Sequence, residues 1–233
     1  MIEEHDSQTR WDTLALIWSV GLIVALPVMF SAAGIAPHQD DAMSLVLLGI
    51  LTFHLPPLLV VMITLARRVP KGERRSALAL SMPERPIRDT LAAVLVIFPC
   101  IALILLAMNA MGVEPKPAPY VEWLQYGKLP IVVVLVLAAV VVAPITEELL
   151  FRQVMNGVLE RKLGRHAAMH ITALVFASCH MRPTQIPVLY VVALVLQYLR
   201  NSRGSLLSSI FAHAFYNGVM IGIGLYVLRV VQG

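Results

Sequence analysis

The chain has 233 residues, of which 58% are hydrophobic and only 14% charged, and its mean hydropathy is +0.79. Soluble domains carry about 45–50% apolar and about 25% charged residues, so a water-soluble enzyme is excluded: a fold of this size could not hide so much apolar surface. The formal net charge of +4 does not point to nucleic acid either, because the basic residues lie between apolar stretches rather than on one patch, where they act as topology signals.

The first dozen residues carry Glu3, Glu4, Asp6 and Asp12 in place of a basic n-region, so the first apolar run reads as an anchor and not as a cleaved leader. Apolar spans are expected near residues 13 to 34, 42 to 66, 90 to 111, 129 to 152, 167 to 181, 186 to 200 and 205 to 229. They are helical because lipid tolerates no unpaired backbone. The fold class is therefore all-α, a polytopic transmembrane bundle of about seven helices, with a range of six to eight. The fifth and sixth spans fall short of the usual ~17–25 residues and are expected to tilt, to lie inside the bundle or to run further than drawn. Residues 1–128 hold the first three spans and a basic loop at 67–88, and residues 129–233 hold the remaining helices, all in one integral-membrane domain. Pro56 and Pro57 should kink the second span, with His54 beside the kink finding a backbone partner. Cys100 and Cys179 sit inside apolar runs and offer no disulfide framework.

Lysine and arginine are distributed unevenly about these spans. Thirteen fall on one side: Arg10, seven in the loop 67–88, three in the turn after the fourth span and two after the sixth. The other side holds four, namely Lys116, Lys128, Arg182 and Arg229. The bias places the N-terminus and the basic loop in the cytoplasm, where the loop meets anionic lipid headgroups. A multi-pass protein of a bacterial inner membrane is the expected setting.

Ionisable residues inside spans are costly and therefore informative. The fourth span carries Glu147, Glu148 and Arg152, the fifth His170 and His180, the seventh His213, and the second His54. On a helix rising 1.5 Å per residue, Glu147 lies about 21 Å from Arg161 and His180 about 22 Å from Arg165, which levels them around the turn at Gly164. His213 and Asn217 lie about 14 and 20 Å beyond Gly204, so these groups share one layer of the bundle. Glu148 and Arg152, four apart, share a helix face and can pair. Glu147, about 100° round the helix, is left free of that pair and suits a general base. His213 and Asn217 are also four apart and can donate together to one developing oxyanion. His180 stands apart from them, placed to hold a water. Cys179 beside it turns about 100° away.

The run Glu147-Glu148-Leu149-Leu150-Phe151-Arg152, then Phe176-Ala177-Ser178-Cys179-His180, then His213-Ala214-Phe215-Tyr216-Asn217 resembles the EExxxR, FxxxH and HxxxN motifs of the CPBP intramembrane glutamic endopeptidases. That family includes the type II CAAX prenyl proteases and bacteriocin-processing or abortive-infection-like bacterial relatives. The resemblance is specific from about residue 140 to 220. It implies an intramembrane endopeptidase whose catalytic core lies in 129–233. By this resemblance Glu147 activates water, His180 assists it, His213 and Asn217 form the oxyanion site, and Glu148 with Arg152 is the supporting pair. The stretch Leu189 to Leu199 departs from the family in carrying Ala193 and Gln197 where bacterial relatives carry glycines.

Other readings stay open at this stage. One Glu and two His are also zinc ligand types, though no His-Glu-x-x-His helix is present, so the expectation is no cofactor, with zinc as the alternative. Buried Glu and His also serve proton-coupled transporters, and the same scaffold without activity would be a peptide-binding immunity protein. The expected partners are a membrane-associated peptide or protein and the lipid bilayer, with no nucleic acid. The charge bias makes a direct prediction. A cysteine at Gly72 should react with impermeant thiol reagents only from the cytoplasm, and one at Ala118 only from outside. The opposite labelling would invert the topology.

Overall fold

The computed structural model describes residues 42–114 and 129–232, with the isolated positions 21 and 124. The expected first span at 13–34, apart from Gly21, and the Pro-rich stretch at 115–123 lie outside the described residues. Within them the chain is helical and has no strand. Helix α1 is Ala42–Gly49, α2 is Leu55–Arg68, α3 is Pro86–Ala110, α4 is Leu129–Leu163, α5 is Arg165–Cys179, α6 is Ile186–Arg203 and α7 is Leu206–Gln232. Among the described residues four helices are long and apolar enough to cross a membrane: Leu47–Arg68, which takes in the end of α1 and all of α2, then α3, α4 and Leu206–Val230 of α7. The chain is an integral membrane protein.

The two spans expected to be short, α5 and α6, are not among those four. They have 15 and 18 residues, α6 extending past the expected boundary to Arg203. They pack on each other and against α3, α4 and α7. Ala173, Phe176, Ala193, Leu150 and Phe151 form one apolar cluster among α4, α5 and α6. Ile97, Leu196, Ala212 and Tyr216 form another among α3, α6 and α7. Ala193 and Gln197, where the sequence departs from the family pattern, are both fully buried in α6, and Gln197 donates to Asn201 at 3.0 Å. Large side chains on the outside of α3, such as Leu95, Leu103 and Leu106, are exposed as lipid-facing residues must be.

Proline shapes the helices that line the interior. The expected kink before Pro56 and Pro57 takes the form of a π-helical turn at Ile50–His54, closed by a bond from Leu55 N–H to Ile50 O. Five residues on from Leu51 and Thr52 stand the two prolines, which have no N–H to donate, so the regular ladder cannot continue there. The same happens in α4, where a wide turn at Ala138–Val142 precedes Pro144, and a longer one covers Glu148–Met155. Wide turns of this kind are rare and concentrate at functional sites.

The basic ends of the helices gather at one end of the bundle. There the loop after α2 is docked rather than loose. Gln153 of α4 donates to Ala77 O at 2.6 Å and accepts from Arg200 of α6 at 2.8 Å. Leu206 N–H at the start of α7 donates to Ala79 O at 2.8 Å. Asp89, buried at the start of α3, pairs with Arg203 at 2.9 Å and Arg88 at 3.2 Å. Gly164 and Gly204 turn the chain between α4 and α5 and between α6 and α7 with φ of 79° and 62°, a backbone region open to glycine at no steric cost.

Candidate active site

Glu148 and Arg152 form an ion pair sealed from solvent, with Arg152 Nε 3.3 Å from Glu148 Oε2 and both side chains at 0% exposure. The guanidinium lies over the ring of Phe176, 4.7 Å from its centroid, which adds a cation–π contact in a desolvated place. Glu148 has a second partner. Its Oε1 accepts from His213 Nδ1 at 2.9 Å. The two glutamates of one helix thus hold opposite sides of one imidazole, because His213 Nε2 stands 3.8 Å from Glu147 Oε2. Phe176 completes the arrangement, its ring lying 5.0 Å from that of His180, 6.1 Å from that of His213 and 5.1 Å edge-on from that of Phe151.

Glu147 differs from its neighbour in where it faces. Its side chain keeps 19% exposure and lines a cavity of about 370 Å³. The wall is apolar, with Ile50, Phe53, Leu135 and Leu150 among its residues, and is broken by Glu147, His54, His180, Thr146 and Cys179. His180 caps the end of α5 and donates Nδ1–H to Phe176 O at 2.8 Å. Since a carbonyl can only accept, the neutral ring presents Nε2 as an acceptor. His213 and Asn217 are not among the described residues that line this cavity.

Asn217 is held by the proline effect in α4. In the wide turn Ala143 N–H bonds Ala138 O. On the same five-residue step Ala139 O would look to residue 144, which is proline and has no N–H. Asn217 Nδ2 donates to that carbonyl at 2.7 Å, leaving the amide one N–H to spare. His213 Nδ1 is engaged by Glu148 and one N–H of Asn217 by Ala139. Each retains one group, Nε2 of His213 and the second N–H of Asn217.

Residues 129–219 match the family model described as type II CAAX prenyl endopeptidase, Rce1-like. Over this stretch, which is less than half of the chain, the sequence is similar to the CAAX protease family. The match spans α4 to α7 and contains all six residues of the motif constellation. No curated protein and no solved structure matches the chain.

The matched stretch brings Glu147, Glu148, Arg152, His180 and His213 into one contact network, with Asn217 one turn along α7. Three further residues belong beside them. His54 does not take a backbone partner as expected. Its Nδ1 lies 2.8 Å from Thr146 Oγ1 and its ring lines the cavity with Glu147. Cys179 also lines the cavity, at the end of α5 where His180 follows as the cap. Phe176 entered only as a motif letter. His170, by contrast, bonds Tyr190 at 2.6 Å in an exposed groove. Among the described residues no three His, Cys, Asp or Glu side chains are gathered as a metal-ligand set.

The sealed pair makes a stability prediction. Arg152→Ala leaves a buried carboxylate without its guanidinium, a loss of about 3–5 kcal/mol, and should lower expression and thermal stability as well as activity. Changing Glu148 and Arg152 together to a neutral pair should recover part of the stability. A stable but inactive Arg152→Ala protein would instead give Arg152 a direct part in the chemistry.

Proposed function

We propose that the chain is an intramembrane endopeptidase that hydrolyses a peptide bond of a membrane-associated protein with a water activated by Glu147. One observation carries this reading. Of two adjacent glutamates, Glu148 is sealed against Arg152 and His213, while Glu147 faces an apolar cavity beside His180 and His54. A carboxylate held in such a cavity with no guanidinium beside it is suited to take a proton from water. His180 Nε2 accepts the second hydrogen of the same water and fixes its lone pair towards the carbonyl carbon. As the water oxygen bonds to that carbon, one proton passes to Glu147 and negative charge moves to the carbonyl oxygen. His213 can stabilise this charge only through Nε2–H, since its Nδ1–H is spent on Glu148. The Glu148 carboxylate therefore supports the imidazolium that the step requires. The spare N–H of Asn217 completes the donor pair. When the C–N bond breaks, Glu147 returns its proton to the leaving amine.

The apolar wall suits an extended peptide with an apolar flank, and a prenylated CAAX terminus, the substrate named for the family the chain resembles, is the first to try. The basic end of the bundle faces the cytoplasm in this reading, in a bacterial inner membrane.

The test is proteolysis by purified protein in lipid. Glu147→Gln should abolish cleavage with folding intact. Cleavage that survives this change, or that is lost on chelation and restored by zinc, overturns the mechanism. Substrate that is bound but never cleaved by the wild type makes the chain a peptide-binding protein.

Two further outcomes follow from the geometry. Asn217→Ala should lower kcat about 100-fold with little change in KM. It should also cost about 1–3 kcal/mol of stability, because it strands Ala139 O, so turnover must be scaled to folded protein. Cys179→Ala should keep its activity, since no thioester forms. A bulky thiol reagent on Cys179 should nevertheless block the wild type by filling the cavity.

A further inference from the structure

The Thr146 hydroxyl lies 2.9 Å from Val142 O and 3.1 Å from Ala143 O. Carbonyls only accept, so its single hydrogen is directed to them and its oxygen is left to accept from His54. His54 therefore donates Nδ1–H across the 2.8 Å contact, and the neutral ring carries its lone pair on Nε2. No described residue bonds Nε2, and it is not among the polar atoms sealed from the cavity. The π-helical turn at Ile50–His54 sets this ring in the wall opposite α4, in the same cavity as Glu147 and His180.

The cavity thus has three polar acceptors in its wall: the Glu147 carboxylate, His180 Nε2 and His54 Nε2. Its lining offers no strong side-chain donor among the described residues, the Cys179 thiol being a weak one. A water has two hydrogens, and Glu147 and His180 take both. The third acceptor is open to a further water, and a ligand that displaces that water must supply a donor in its place or lose a hydrogen bond. An extended peptide supplies such donors from its main chain, one N–H per non-proline residue.

We propose that His54 Nε2 accepts a hydrogen bond from a main-chain N–H of the bound substrate, making His54 a substrate-positioning residue supplied by the helices before the matched family core. Thr146 holds the ring in the acceptor tautomer. The inference rests on reading the cavity as the peptide cleft, and it asks nothing of Glu147 as a base.

The experiment is a binding cycle in a Glu147→Gln background, where cleavage is blocked. The probe is a fluorescent peptide ending in S-farnesylcysteine and three further residues, together with its esters, in which each main-chain N–H is replaced in turn by oxygen. With His54 present, one ester should bind about five- to tenfold more weakly than the amide, the worth of one hydrogen bond. In His54→Leu the amide should bind correspondingly weakly, and that same ester should carry no added penalty. The substitution should fold, because Thr146 keeps its carbonyl partners when the ring is gone. Thr146→Val, which frees the ring to change tautomer, should move binding in the same direction by less.

In the cleavage-competent protein, His54→Leu should raise KM about five- to tenfold and leave kcat within about threefold. Equal ester penalties with and without His54, or a fall in kcat at constant KM, overturn the proposal. Absence of cleavage by the wild type, with the ester coupling intact, would sink the protease reading alone.

Discussion

A guanidinium and a carboxylate with no access to water set the terms for everything around them. Either charge alone in the middle of this bundle would be intolerable. Together Glu148 and Arg152 still require the Phe176 ring beneath the guanidinium and the His213 N–H on the free carboxylate oxygen. Those contacts tie α4 to α5 and α7. The pair thus determines which faces of three helices meet, and it holds His213 by Nδ1.

The same pair gives two chemically identical neighbours different work. Glu148 is neutralised and spent on structure. Glu147, one residue earlier, keeps a face on the cavity and still stands within reach of His213 Nε2. A regular helix separates neighbours by about 100°, and the π-helical stretch beginning at Glu148 is the local change of geometry at this point. One imidazole lies between the two carboxylates, 2.9 Å from Glu148 and 3.8 Å from Glu147.

Proline does for the backbone what the ion pair does for the side chains. Two of the three wide turns among the described residues precede a proline: Ile50–His54 before Pro56 and Ala138–Val142 before Pro144. The first brings His54 into the cavity. The second leaves Ala139 O to be filled by Asn217, a hydrogen bond between helices that orients an amide. In lipid no water can satisfy such a carbonyl, so the missing N–H of one helix becomes a binding site for the side chain of another.

Much was legible in the sequence because membranes restrict the choices. Long apolar runs can only be helices, intramembrane charges must be paired or functional, and four-residue spacing puts Glu148 over Arg152, so the bundle, the ion pair and the motif residues of α4 to α7 follow from composition and period. The shortness of α5 and α6 was visible too, as was the kink at Pro56. What periodicity could not decide is how the helices face one another. It assumes 3.6 residues per turn, and that assumption fails in the wide turns before the prolines and along Glu148–Met155. It therefore gave His54 a backbone partner beside the kink, and gave no sign that Glu148 holds His213 Nδ1 or that Ala139 O takes one N–H of Asn217. The signal for Asn217 was present in Pro144, which announces an unpaired carbonyl one turn earlier. Its partner lies 78 residues on in α7, and only the packing of the helices brings the two together.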